Sequence, residues 1–170
     1  MTLRGERVPE VTLVDFRAMM AGFPTGVAVV TAFDLAGRPR GMTCTSICSV
    51  SLKPPTLLVC IRNGSPTLDA ILQRARFTVN LLHADAEAAA RLFASGQPDR
   101  FDRIRWEADA SDGGPSFPED ARVSADCLVS HAQSAGDHVV MFGTVIRAVE
   151  QSARTPLLYG LKRYAAWPAL

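Results

Sequence analysis

The chain has 170 residues, 48% hydrophobic and 21% charged, the length and composition of one globular domain. Eighteen Lys and Arg against seventeen Asp and Glu leave a formal charge of +1, which excludes a global field pulling the protein toward nucleic acid or a membrane surface. The opening MTLRGERVPEVT lacks the apolar core of a signal peptide, no apolar run nears the ~20 residues of a membrane span, and the four cysteines form no zinc spacing, so a cytoplasmic protein with reduced, buried thiols is expected.

Residues 1–11 read as an N-terminal arm on a single domain that covers 1–170. TLVDFRAMMAGFPTG then predicts a short amphipathic helix. Thr12 caps it, Asp15 stands in the capping-box place, and Phe16, Met19, Met20 and Phe23 follow i, i+3, i+4, i+7 spacing. Gly22 and Pro24 stop it. The period changes at GVAVVTAF (26–33), a nearly continuous apolar strand, and DLAGRPRG turns the chain. GMTCTSICSVSLK is the returning strand, and PTLLVCIR (55–62) is a third. NGSPTLDAILQRAR predicts a helix capped by Ser65, with Pro66 at its first position.

FTVNLL (77–82) is a further strand, and ADAEAAARLFAS (84–95) a helix with Ala88, Leu92 and Phe93 facing inward. The polar stretch GQPDRFDRIRWEADASDGGPSFPED has the length of a functional or mobile loop, with Trp106 either covering a site or anchoring the loop. ARVSADCLVSHAQS (121–134), DHVVMFGTVIRAVEQ (137–151) and PLLYGLKRYAAW (156–167) end the chain as strands, the first two turning at Ala135 and Gly136. Six or seven strands joined mostly by short turns argue a β-barrel or sandwich with helical insertions, not a βαβ repeat.

His83, His131 and His138 stand in no hydrolase signature, and no H-E-x-x-H, P-loop or G-x-G-x-x-G occurs. What stands out is a row of hydroxyls. Thr43, Thr45, Ser49 and Ser51 share parity and would point one way on an uninterrupted strand, with Ser46 and Cys48 pointing the other. Such a row is either the solvent face of a sheet or the wall of a site for a flat ligand with a polar edge.

The blocks FRAMMAGFPTGVAVVTA, GMTCTSICSVSLKPPTLLVCI, ILQRARFTVNLL, RLFASGQPDRF, GDHVVMFGTV and PLLYGLKRY resemble, in that order, the flavin reductase-like family. These are NAD(P)H:flavin oxidoreductases that serve two-component flavin monooxygenases. The resemblance runs from Phe16 to Tyr164. It implies a mainly β fold with short helices, an FMN-binding split β-barrel, and a homodimer with flavin near the subunit interface. It also implies FAD or FMN with NADH or NADPH as cofactors, and a separate flavin-dependent monooxygenase as partner.

Position by position, Pro39, Gly41, Met42, Thr43, Cys44, Thr45 and Ser46 match the segment that flanks the flavin ring and ribityl chain, with Ser51 farther along it. Gly41 would let backbone approach a ligand closely. Cys60, Ile61, Arg62, Asn63 and Ser65 match the phosphate-side loop, and Phe93, Ala94, Ser95 and Phe101 a loop reaching toward the flavin. His138, in Gly136-Asp137-His138, resembles the histidine near the nicotinamide and is the catalytic candidate. Tyr159, Gly160, Leu161 and Lys162 match the segment associated with the pyridine nucleotide, with Tyr164 in the aromatic position. The implied reaction moves a hydride from nicotinamide C4 to flavin N5. A non-catalytic flavin-storage protein and a pyridoxamine-phosphate-type oxidase are the competing expectations.

Overall fold

The computed structural model describes residues 10–108 and 113–168, so the expected N-terminal arm lies almost wholly outside the described residues. Helix α1 (Leu13–Ala21) begins as its sequence predicts: the Asp15 N–H donates to Thr12 Oγ1, and that hydroxyl donates to the Asp15 carboxylate at 2.7 Å. None of its residues is buried. The strands that follow are β1 (Thr25–Gly26), β2 (Ala28–Phe33), β3 (Pro39–Cys44), β4 (Ile47–Leu52) and β5 (Pro55–Arg62). Helix α2 (Pro66–Arg74), β6 (Arg76–Leu82) and α3 (Glu87–Ala94) precede β7 (Ala121–Ala135), β8 (His138–Glu150), β9 (Leu157–Gly160) and β10 (Arg163–Ala166). No helix among the described residues is long and apolar enough to cross a membrane.

Seven strands form one antiparallel sheet in the order β3-β2-β6-β7-β8-β5-β4, and β1, β9 and β10 form a smaller one. The fold is thus mainly β with short helices, but the expected barrel is not closed by hydrogen bonds. β3 and β4 are the two edges of the large sheet, and no ladder joins them. Only Thr45 and Ser46 connect those edges, so the sheet has to curl back on itself. The Cys60 N–H donates to the Ser46 carbonyl at 3.1 Å, which carries the β4–β5 pairing up to the seam.

That seam corrects the reading of the hydroxyl row. GMTCTSICSVSLK is not one returning strand but two, on opposite edges, and the β4–β5 register shifts again between Ser49 and Ser51. Parity therefore does not carry from Thr43 to Ser51. The expected strand over 156–167 is a hairpin instead, because Leu161 (φ 50) and Lys162 (φ 61) take the left-handed conformation of a tight turn. Helix α3 buries Ala89, Ala90 and Phe93 with Leu92 packed part-buried against the same core, whereas Ala88, expected inward, is exposed.

β2 is buried along its whole length and separates two cores. Ala28, Val30 and Ala32 pack with Ile61, Ile71, Phe77 and Met141 on one face. Val27 and Val29 pack with Leu82, Phe93, Phe117 and Leu157 on the other. The described parts of the long polar stretch after α3 are packed onto the core. Phe101 and Phe117 are buried with Phe93, at ring separations of 5.0 and 5.1 Å from it, and Trp106 packs on Phe33 at 6.1 Å as an anchor. Gly114 lies so close to β2 that a Cβ there would come within 2.5 Å of the Thr31 backbone.

Candidate functional site

The seam between the sheet edges divides two clefts. The first, of about 590 Å³, lies between Gly41, Met42 and Thr43 of β3, the 62–67 turn, the end of α3 and Arg100. The second, of about 640 Å³, is walled by Phe16, Met20 and Phe23, by Thr45 to Cys48, by Leu58 and Cys60, and by Tyr159. Arg17 and Lys162 also line it. Consecutive residues of the predicted site thus diverge: Thr43 faces one cleft, Thr45 and Ser46 the other. Cys44 between them turns into the core at 4% exposure.

Local chemistry positions the first cleft. Ser65 caps α2 by accepting the Thr67 N–H at 3.3 Å, and its hydroxyl lies 3.5 Å from Met42 Sδ, which ties the helix start to β3. The Asn63 N–H donates to the Asp137 carbonyl at 2.9 Å, and Asn63 Nδ2 to the Gly136 carbonyl at 3.3 Å. These bonds clip the 62–65 turn onto the β7–β8 hairpin, where His138 stands in register with Arg62. His138 Nδ1 donates to Asp137 Oδ1 at 2.8 Å, which holds the Asp137 carboxyl below the ordinary carboxylate range. That bond orients the ring and leaves Nε2 without a hydrogen-bond partner among the described residues. His138 is near this rim but lines neither cleft.

Thr43 Oγ1 donates to the Ala90 carbonyl at 2.6 Å and so fastens α3 to β3. Gly41 has a packing reason of its own: a Cβ would meet Phe101 at 3.0 Å and Phe93 at 3.1 Å. The glycine makes room for those rings and also lines the cleft.

At the chain end, the Tyr159 and Tyr164 rings are 5.0 Å apart and the Arg91 guanidinium lies 5.0 Å from the Tyr164 ring centre. Partial burial pushes the Tyr164 phenol up.

Of the other expected residues, Arg62, Asn63, Ser65, Phe93 and Ala94 line the first cleft, and Cys60, Tyr159 and Lys162 the second. The rest line neither. Pro39 pairs with Phe33 at the head of β3, and Ile61 is wholly buried in the core. Ser51 accepts the Lys53 N–H in the β4–β5 turn, and the Ser95 hydroxyl donates to the Leu92 carbonyl at the end of α3. Phe101 belongs to the aromatic cluster, Gly160 packs against Pro24, and Leu161 is exposed in its turn. Burial pushes the Cys44 thiol up to about 11 and the Cys127 thiol to about 12, so those two are inert core residues, whereas Cys48 is exposed.

Arg17, Thr67 and Arg100 line these clefts without having been singled out in the sequence. Arg100 is hidden there by Asp99 and Asp102, which suggest a local ion pair that the fold does not form with it. Chemically, the first cleft offers two guanidiniums, a hydroxyl and the amides of a helix start, which suits an anionic group. The second offers aromatic and thioether walls, which suits a flat ring.

Comparison with known proteins follows the same lines. Residues 20–168 match the flavin reductase like domain. The NADPH flavin reductase of Lentzea aerocolonigenes is 49% identical over 157 residues, 92% of this chain and 91% of that protein. The NADH:FAD oxidoreductase of Streptomyces globisporus superposes with a TM-score of 0.86 at 34% identity, over 97% of this chain and 99% of the other. The styrene monooxygenase flavin reductase of Pseudomonas putida superposes with a TM-score of 0.82 at 30% identity, over 91% and 98%.

Proposed function

Because the chain belongs to the flavin reductase-like family, we propose that it reduces free FAD or FMN with NADH or NADPH and releases the product to a separate flavin-dependent monooxygenase. It is an NAD(P)H:flavin oxidoreductase. The observation that carries the reading at the level of residues is the pair of adjoining clefts, one cationic and hydroxylated, the other apolar, on either side of Met42 to Ser46. A flavin nucleotide has the same division between a flat ring and a phosphate tail. The guanidinium of Arg100 carries a buried Nε without a hydrogen-bond partner, so the residues present fit an anionic group in the cationic cleft.

When both are bound, nicotinamide and flavin supply the redox chemistry, hydride passing from C4 to N5. The chain's own residues bind, orient and exclude water. Ser65, Asn63 and Arg62 hold the polar end at the start of α2. Thr45 and Ser46 edge the apolar cleft, and Tyr159 and Lys162 close it from the terminal hairpin. His138, with Nδ1 engaged by Asp137, turns Nε2 away from that bond beside Arg62, where the nicotinamide carboxamide would be oriented. No general acid is needed for hydride transfer, and no catalytic dyad is invoked.

A homodimer belongs to the same proposal. Leu13, Phe16, Met19, Met20 and Phe23 are 44 to 72% exposed, an apolar row on and just after α1 that a second copy would cover. Phe16, Met20 and Phe23 also wall the second cleft, so the dimer would finish the site.

Steady loss of absorbance at 340 nm with NADH or NADPH and excess free flavin is the expected result. Oxidation that stops after one turnover per bound flavin would leave a storage protein and overturn the proposal. His138→Ala should lower kcat/KM for the pyridine nucleotide while sparing the flavin Kd; an unchanged rate removes His138 from the reaction.

A further inference from the structure

Arg17 and Lys162 are the two cations of the second cleft, and neither side chain has a hydrogen bond or ion pair among the described residues. Elsewhere the chain pairs many of its arginines: Arg38, Arg40, Arg91 and Arg105 each have a carboxylate oxygen within 3.4 Å. No aspartate or glutamate lines the second cleft, so two positive charges stand on largely apolar walls without a counter-charge. The fold brings them to the same side of it. The Leu161 N–H donates to the Ala21 carbonyl at 2.6 Å and clips the β9–β10 turn onto the end of α1. Arg17 lies one helical turn before Ala21, on the same face of α1. Lys162 follows Leu161 in that turn at φ 61, a conformation lysine rarely takes. Two like charges held at one cleft repel each other, and a bound anion removes that repulsion.

We propose that Arg17 and Lys162 together take the 2′-phosphate of NADPH, and so make NADPH the preferred reductant over NADH. This rests on the flavin-reductase reading and deepens it. The two nucleotides differ only in that phosphate. A site built for NADH sets a carboxylate on the ribose diol, where it would repel the 2′-phosphate, and none lines this cleft. Nicotinamide has to stack on the flavin ring here for hydride transfer, which brings the rest of the dinucleotide past the same lining. The flavin's own phosphate is provided for elsewhere, because Arg62, Asn63 and the start of α2 belong to the first cleft. An arginine fork gives the phosphate oxygens directed bonds, and the lysine adds a point charge.

The test compares the wild type with Arg17→Ala and Lys162→Ala in two readouts. One is the ratio of kcat/KM for NADPH to that for NADH, with free flavin as acceptor. The other, by calorimetry without turnover, is the Kd of 2′,5′-ADP against that of ADP. The wild type should favour NADPH and 2′,5′-ADP by about ten-fold or more, and either substitution should lower both preferences about ten-fold, the worth of one charge-assisted bond. Ratios cancel any loss that the two nucleotides share, and far-UV circular dichroism certifies the fold of each variant. High salt should shrink the wild-type preference. A wild type that favours NADH, or variants that keep the wild-type ratios, overturn the proposal. So does a rise in the Kd of FAD with both ratios intact, which would give the two cations to the flavin. Failure to oxidise either nucleotide with free flavin defeats the flavin-reductase reading itself, a result distinct from these.

Discussion

In the middle of the large sheet, Thr31, Thr78, Asn80, Ser124 and Asp126 are buried and bonded to one another and to the 114–117 strap, whereas at the seam Thr45, Ser46, Arg62 and Ser65 face open clefts. Both regions are rich in small polar side chains. In the interior the Thr31 hydroxyl donates to the Pro115 carbonyl at 2.7 Å, and Thr78 Oγ1 lies 2.6 Å from Asp126 Oδ1. Asn80 is the hub. Its Oδ1 accepts from the Phe117 N–H and the Ser124 hydroxyl at 3.0 and 2.8 Å, and its Nδ2 donates to the Pro115 carbonyl at 3.0 Å. Every partner there is supplied by the chain. At the seam the Thr45 and Ser46 hydroxyls have no hydrogen-bond partner among the described residues, and Ser65 is engaged only locally, by the start of its own helix and by Met42; that difference separates architecture from site where residue type alone does not.

The largest effect that would sharpen this contrast is Asn80→Ala. It strands several buried groups at once, each costing ~1–3 kcal/mol, so a loss of about 3–5 kcal/mol in urea unfolding is expected. Flavin affinity of the folded fraction should be unchanged. A loss under about 1 kcal/mol would mean that the strap is held by its phenylalanines and not by this network. The mirror experiment is Ser46→Phe. Ser46 pairs with β5 through its backbone carbonyl, which the substitution keeps, while its side chain lines the apolar cleft. Overpacking the cleft at ~1–3 kcal/mol predicts flavin binding weakened about ten-fold or more with the unfolding midpoint nearly intact. The reverse pattern, stable binding and lost stability, would break the comparison.

Thr43 stands between the two regions. It lines the first cleft, yet its hydroxyl already donates to the Ala90 carbonyl at 2.6 Å. Thr43→Val should therefore behave as an interior change, costing about 1 kcal/mol of stability and little flavin affinity. A variant that folds normally and binds flavin poorly would move Thr43 to the ligand side.

The legible parts of the fold were those written in neighbouring residues. Thr12 with Asp15, Ser65 with Pro66, and the unbroken apolar run of β2 each carry their own signal. The seam does not, because Thr45 and Ser46 sit without Gly or Pro inside a run that reads as strand, and the break follows from the sheet curling. Leu161 and Lys162 likewise adopt a turn that their residue types disfavour, imposed by the pairing of Tyr164 with Tyr159. The polar network is invisible for a different reason: Thr31 meets Pro115, and Asn80 meets Ser124, from 84 and 44 residues away. Of the site, the 60–65 turn was reached through family resemblance, while Arg100 was masked by its acidic neighbours and becomes conspicuous only when its partners are counted in space.

The smallest effect concerns Asp34, the group that leaves Arg40 satisfied and Arg100 not. Its carboxyl is held down to about 2 from 3.8, first by the Arg38 N–H at 2.9 Å and then by the side chains of Arg40 and Arg38. A carboxyl whose folded pKa lies below its unfolded one binds fewer protons in the folded state. Its contribution is therefore complete above about pH 4 and fades as pH falls toward about 2. Asp34→Asn removes that charge, so the variant should be less stable than the wild type at neutral pH, with the gap closing between about pH 4 and pH 2. A gap independent of pH would show that shape and hydrogen bonding in the 34–40 turn matter and the charge does not. Should the gap instead persist while riboflavin and FMN affinities also change, Asp34 would be acting through Arg40 on Arg100, and the boundary between self-satisfied and ligand-seeking polar groups would run through the β2–β3 turn rather than at the seam.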